Sequence, residues 1–415
     1  MKSKVLFLSG LLILFILQLK AQDSVSFNPA KRYSFIKYNS NVIKNTGRLE
    51  SFYQQLMTLK STSSGVISIL HIGDSHIQGD YLTKTTRTLL QQEFGNAGLG
   101  LSFPGRIALT NESPLTYSLS TGQWISSRIT DSQNMLPIGI GGISLKTERA
   151  GNSIKIKSLG QNYSFNRITL FFQKDFSSYN IVVKDSTGLT LAVAGPFTEE
   201  KYTNMSKLVL PYSTNQIQLE TKQTLPTQKQ FTLLGISLEN SNPGIRYHII
   251  GVNGAKFKHF VAAKDLLNQT PTLNPDLIII SLGTNEAVDH PSMDPNLTSQ
   301  LNSLTSELRN LNPNAMILLT TPADFYKMRT RRNPGISTVK NKIIEFAKTN
   351  NMPYWNLHEI AGGNHAADLW KKHELLQTDG IHFTKKGYDL QGYLLFEAII
   401  KGYNEYVLDR HSKTH

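Results

Sequence analysis

Four short clusters of polar residues in this chain combine side chains that can do chemistry together. They are Gly73-Asp74-Ser75-His76, Gly251-Val252-Asn253-Gly254, Gly283-Thr284-Asn285-Glu286 and Asp379-Gly380-Ile381-His382-Phe383. A serine hydroxyl is a poor nucleophile until a base takes its proton. His382 can be that base, and Asp379, three residues earlier, can reach the same imidazole, fix its tautomer and stabilise the imidazolium. An oxyanion then needs donors aimed at it. The Ser75 amide at a helix start, the Gly254 amide with no side chain to block approach, and the Asn285 side-chain amide are candidates. The set is sufficient for acyl transfer without a metal or an organic cofactor.

Each piece also has a plainer reading. Ser75 can be a helix N-cap, Asp379-Gly380 a turn, His382 a core histidine and Asn285 a cap. Asp74 reads as a cap or turn acid. His76 reads as a surface residue, a substrate contact or a rival base, but adjacent helix residues do not face each other, which favours His382. A Gly-Asp-Ser tripeptide alone says little. The weight lies in the order of the clusters and in what precedes each.

Elements that place all four at one edge are visible. Val66–Ile72 is a short apolar run rich in β-branched residues, as a strand buried on both faces should be. Similar runs are RYHIIG, DLIIISLG, AMILLTT and MPYWNLH. Helical patterns lie near 48–59, 82–94, 256–268, 294–311, 335–350 and 384–402. Five strands separated by helices predict an open parallel sheet, whose active sites form beyond the carboxyl ends of the strands. Between about Arg106 and Ile245 the texture changes to short β-rich runs and turns, which predicts an inserted β-sandwich.

The four clusters, in this order, resemble the sequence blocks of the SGNH (GDSL-type) hydrolases. The resemblance covers about 66–104 and 246–402. It implies a flavodoxin-like α/β/α fold, ester hydrolysis, Ser75 as nucleophile, Asp379 and His382 as its partners, and Ser75, Gly254 and Asn285 as oxyanion donors. His76 stands where the common motif has leucine. Gly-Asp-Ser-His, an insert after the first block and the late DGIHFTKKGY segment resemble the peptidoglycan O-acetylesterases. In those the insert resembles a carbohydrate-binding module. The implied domains are 22–105 with 246–415 for the hydrolase and 106–245 for the insert.

Composition bounds the remaining possibilities. A chain of 415 residues, 39% hydrophobic, is long enough for two domains. Lys2 and Lys4, the apolar run Val5 to Leu17, and Ala21 before Gln22 read as a secretory signal, too short to favour a membrane span. The expected mature protein is exported, periplasmic or extracellular, with no membrane insertion. Absence of cysteine excludes disulfides, thiol catalysis and thiolate zinc. The formal charge is +13, and loss of Lys2, Lys4 and Lys20 with the leader leaves +10. That suits anionic surfaces such as cell-wall polymers, or solubility alone. Dispersed basic residues argue against nucleic acid; Lys327–Arg332 is the one tight cluster.

The segment Phe325–Asn333 reads as a solvated loop or as a rim that grips an anionic glycan. Trp370 and Tyr354 read as core or sugar-stacking residues. Gly362-Gly363-Asn364-His365 beside Gly-Asp-Ser-His suggests a metallophosphoesterase, but no Asp-x-His lies between Gln22 and Leu70 to complete the ligand set. The Gly-x-Ser-x-Gly elbow is absent. The expectation is an exported serine esterase that removes O-acetyl groups from a glycan, peptidoglycan before an acetylated plant or algal polysaccharide. A glycan O-acetyltransferase and a glycan-binding protein with a vestigial hydrolase domain are the alternatives.

Overall fold

The computed structural model describes residues 25, 33–133, 136–160, 162–197 and 204–413. The signal-peptide stretch, residues 1–21, lies outside the described residues. The main sheet has six strands: β1 (Ile43–Lys44), β2 (Val66–Gly73), β3 (Gly244–Gly251), β4 (Leu277–Ser281), β5 (Met316–Thr320) and β6 (Tyr354–Trp355). Their spatial order is β1-β6-β5-β4-β2-β3. The last five are mutually parallel, with Ile69 opposite both Tyr247 and Leu277. Taken alone, those five follow the flavodoxin-like order, which reverses direction around β2.

β1 adds an antiparallel edge that the sequence reading did not contain, pairing Ile43 with Trp355. Two residues carry no periodicity, so no pattern announces such a strand.

β2 is buried along seven of its eight residues, which is why it reads as a continuous apolar run. The helices Glu50–Thr62, Tyr81–Phe94 and Lys385–Lys413 cover one face, with Phe52, Leu90 and Leu394 among the buried residues. Phe257–Ala262, Leu297–Leu311 and Gly335–Thr349 cover the other, burying Phe260, Leu304 and Val339. The result is the three-layer α/β/α arrangement. No helix among the described residues is long and apolar enough to cross a membrane.

Two antiparallel sheets form between Thr116 and Glu239. Ile154, Ile181 and Ile217 of one and Leu170, Phe172 and Leu233 of the other share one core. This is the β-sandwich. Gly98–Ser102 joins it by pairing with Phe231–Glu239. A run of Gly-Leu-Gly-Leu-Ser lacks β-formers, so the sequence gives little sign of this strand.

A buried ion pair ties the first βα unit to the insert. Arg87 Nη1 lies 3.0 Å from Asp80 Oδ2, both side chains 1% exposed. Ser113 Oγ donates to the same oxygen at 2.5 Å, and Thr83 Oγ1 donates to Oδ1 at 2.5 Å. Removing either charge would leave the other buried and unpaired, a strongly destabilising change.

Candidate active site

β2 ends at Gly73, and the chain turns directly into the short helix Ser75–Gln78. Asp74, not Ser75, caps that helix, its Oδ1 accepting from the His76 amide at 3.0 Å. Ser75 is thereby left free of capping duty at the first helical position. Its Oγ lies 2.9 Å from His382 Nε2. His382 Nδ1 lies 2.7 Å from Asp379 Oδ2. The hydrogen-bonded row thus brings together Ser75 and the Asp379–His382 turn, with His382 lying 307 positions from Ser75 in sequence. The other Asp379 oxygen accepts the Ile381 and His382 amides at 2.8 and 2.9 Å, so the turn itself aims the carboxylate. Partial burial pushes the Asp379 carboxyl up, but hydrogen bonds from the Ile381 amide and the His382 ring outweigh it and hold it below the usual range. The His382 and Asp379 side chains are 35% and 42% exposed, so the row meets solvent along an open face.

The three donor positions lie in adjoining loops. The loop after β3 carries Gly254 at φ +76°, a left-handed conformation that favours glycine. No atom stands within 4 Å of where its Cβ would be. Three side chains fix this loop. Gln78 Oε1 accepts the Asn253 amide at 2.6 Å, Asn285 Nδ2 donates to the Ala255 carbonyl at 2.9 Å, and Glu286 Oε1 accepts the Phe257 amide at 2.8 Å. An amide nitrogen has two hydrogens, so Asn285 keeps one for another acceptor. Close packing of the first and second clusters depends on Gly251, where a Cβ would lie 2.2 Å from the Gln78 amide nitrogen. Sequence reading missed Gln78 and Glu286 because their partners are distant in sequence, and no local pattern marks them.

His76 does not bond to Ser75. Its Nδ1 lies 2.9 Å from the Tyr388 hydroxyl, and its ring lies 5.3 Å from that of His382. Burial, reinforced by His382, pushes its pKa down to about 3. A neutral ring there adds no positive charge beside His382. Behind the row is a cavity of about 40 Å³ lined by Asp74, His76, Ser281, Thr284 and Phe383. Burial pushes Asp74 up to about 6 despite the His76 amide.

Glu286 carries a pH signature. Burial raises its pKa to about 7, the Phe257 amide opposes this, and Oε2 has no partner among the described residues. Between its ordinary 4.5 and about 7 the folded chain holds a proton that the unfolded chain has lost. Stability therefore falls as pH rises through this window. Glu286→Gln retains the acceptor for Phe257 and carries no charge. We expect denaturant unfolding to show the variant equal to the wild type near pH 4, and more stable at pH 8 by up to about 3 kcal/mol. Equal stability at both pH values would show that Glu286 is not buried as an anion.

Other residues singled out in the sequence fall elsewhere. Trp370 and Tyr354 are buried core residues, Trp370 Nε1 donating to the Ala361 carbonyl at 2.8 Å. The basic segment forms a hairpin, Tyr326–Lys327 with Arg331–Arg332. The Tyr326 amide donates to the Gly380 carbonyl at 2.7 Å, which sets the hairpin beside the Asp379 turn. Arg331 and Arg332 are exposed, and Arg332 pairs with Asp368 at 3.2 Å. Among the described residues, no group of three or more metal-ligating side chains forms.

Residues 228–390 match the GDSL-like lipase/acylhydrolase family. A solved peptidoglycan O-acetylesterase superposes with a TM-score of 0.72 at 22% identity, covering 85% of this chain and 96% of that one. That likeness establishes the fold, insert included. A lipase/acylhydrolase from Enterococcus faecalis is 22% identical over 38% of this chain and 77% of its own, with a TM-score of 0.30. A family two carbohydrate esterase from Cellvibrio japonicus is 13% identical over 70% and 98%, with a TM-score of 0.29. Neither of these two carries weight. No curated protein matches. The family match covers residues 228–390, and the likeness to the solved structure extends the shared fold over most of the chain.

Proposed function

We propose, from the match of residues 228–390 to the GDSL-like lipase/acylhydrolases, that this chain is an exported serine esterase that removes O-acetyl groups from a carbohydrate polymer, peptidoglycan. The observation that carries the reading is the row Ser75–His382–Asp379, with contacts of 2.9 and 2.7 Å. His382 Nε2 takes the Ser75 proton as Oγ attacks the acetyl carbonyl. The oxyanion is held by the Ser75 and Gly254 amides and Asn285 Nδ2. The tetrahedral adduct collapses, the bond to the sugar oxygen breaks, and His382 returns the proton to that oxygen. Water, deprotonated by His382, then cleaves the acetyl-serine and releases acetate.

Three features support a polymer substrate. The open row admits an acetyl group borne on a chain. The basic hairpin beside the Asp379 turn suits an anionic strand, as does the net charge. The fold likeness, over 85% of the chain, is to a protein named for peptidoglycan O-acetyl ester hydrolysis. The domains 22–105 with 246–415 and 106–245 are proposed on the same grounds, as is export behind residues 1–21.

Asn285→Ala is expected to lower kcat by about 10²-fold with little change in KM, because its donor acts on charge that develops in the transition state. Steady-state kinetics on an aryl acetate measures this; a pure KM effect would assign Asn285 to ground-state binding. The substrate is tested by acetate release from O-acetylated peptidoglycan and from acetylated hemicellulose, with Ser75→Ala beside each. Release from peptidoglycan that vanishes in the variant is the expected result. Release from hemicellulose alone would retain the chemistry and overturn the polymer.

A further inference from the structure

A second groove, of about 390 Å³, opens where the β-sandwich meets the amino end of the parallel sheet. Val66, the first residue of β2, lines it, whereas Ser75 follows the other end of that strand. Eight residues of extended chain put the two about 25 Å apart. The groove belongs to no part of the site described above.

Its walls combine one buried donor with an excess of positive charge. His248 lines the groove and is 1% exposed. The Leu101 amide donates to its Nδ1 at 2.9 Å, so that nitrogen carries the lone pair. Burial and the nearby Arg246 and Arg87 charges hold the ring well below the ordinary histidine range, hence neutral. The hydrogen of a neutral ring must then sit on Nε2, which has no partner among the described residues. A buried N–H without an acceptor is costly, and such groups call for an explanation. Arg246 and Glu239 form an ion pair at 3.0 Å, and Glu239 also accepts from Thr169 Oγ1 at 3.4 Å. Those two charges offset each other. Arg167, exposed on the same wall, gives its Nε to Ser241 Oγ at 3.2 Å and makes no ion pair among the described residues, with Glu239 opposite it in the sheet; Lys207 lines the groove as well. Val66, Leu208 and Leu273 supply apolar surface between these polar groups.

We propose that this groove binds a carboxylate-bearing sugar unit, with the Arg167 guanidinium and His248 Nε2–H as donors to the ligand. Beyond the Arg246–Glu239 pair, Arg167 and Lys207 make the groove cationic, and the planar guanidinium fork of Arg167 suits a carboxylate. The mixture of short apolar side chains and hydroxyls suits the C–H faces and hydroxyl edges of a pyranose. A polymer held here and at Ser75 gains avidity from two points of contact.

The test is a titration of the full chain with glucuronic acid, glucose, acetate and inorganic phosphate, followed by isothermal titration calorimetry. Glucuronic acid is expected to bind about ten-fold more tightly than glucose or acetate, and Arg167→Gln and His248→Phe each to weaken it by about ten-fold. Arg167→Gln is an exposed change and is expected to leave aryl acetate hydrolysis as in the wild type. It therefore carries the test alone if His248→Phe does not fold. Glucose binding as tightly as glucuronic acid, phosphate binding more tightly than it, or glucuronic acid binding that ignores Arg167→Gln would each overturn the proposal. So would no binding at all. None of these results bears on the esterase reading, which rests on the separate row at Ser75.

Discussion

Ser75→Ala is expected to lower kcat for an aryl acetate by about 10⁴- to 10⁶-fold while the chain stays folded. The loss is large because no other nucleophile takes over. His76, the neighbouring candidate, is turned toward Tyr388 and kept neutral by burial. The fold survives because the serine hydroxyl bonds to His382 and caps nothing; Asp74 holds the helix start. Any residual rate reflects the oxyanion donors and binding, which the substitution leaves in place. Circular dichroism and thermal unfolding of the variant separate lost chemistry from lost structure. A folded variant with wild-type-like turnover would assign the chemistry elsewhere.

Asp379→Asn is the second large effect, about 10⁴-fold in kcat. Asn Oδ1 can still accept the Ile381 and His382 amides, so the turn is retained. The Nδ2 group that replaces Oδ2 is a donor. It faces His382 Nδ1, now 2.7 Å from a carboxylate oxygen, and forces the lone pair onto that nitrogen. The ring proton moves to Nε2, where it meets Ser75 and can no longer accept the hydroxyl proton. Asparagine thus installs the wrong tautomer without disturbing the shape. Kinetics with both variants and the double variant make the point sharper. Residues acting as one unit are non-additive, so Ser75→Ala/Asp379→Asn should be scarcely slower than Ser75→Ala alone. Activity within ten-fold of wild type in Asp379→Asn would mean that the carboxylate does not orient the base.

The parts of this architecture that sequence reveals are those written in local pattern. β2, β4 and β5 are apolar runs buried almost throughout, and the first three polar clusters stand out because each follows a strand of the sheet. The order β3-β2-β4 then brings Ser75, Gly254 and Asn285 to one edge. Whether Ser75 or Asp74 caps the first helix is not a local matter. Both residue types cap, and the difference is which side chain the backbone at φ −97°, ψ −148° turns toward the helix. The clamps on the Gly254 loop are also silent in sequence. Gln78 lies 175 positions from Asn253, and nothing in either neighbourhood predicts the contact. Gly98–Ser102 and Ile43–Lys44 are strands by pairing and not by propensity, one rich in glycine and one two residues long. Trp370 shows the converse case. An aromatic residue of suitable type for sugar stacking proves to be core, in edge contact with Phe383 at 5.0 Å.

The central claim is that the acyl group passes through Ser75. The most direct measurement is acid quenching of the wild-type chain within the first turnover on an aryl acetate, followed by peptide mass mapping. One acetyl group on the peptide containing Ser75, absent in Ser75→Ala and accumulating in Asp379→Asn only as slowly as that variant turns over, is the predicted result. Turnover with the Ser75 peptide unmodified, or an acetyl group on His76 or another residue, would contradict it.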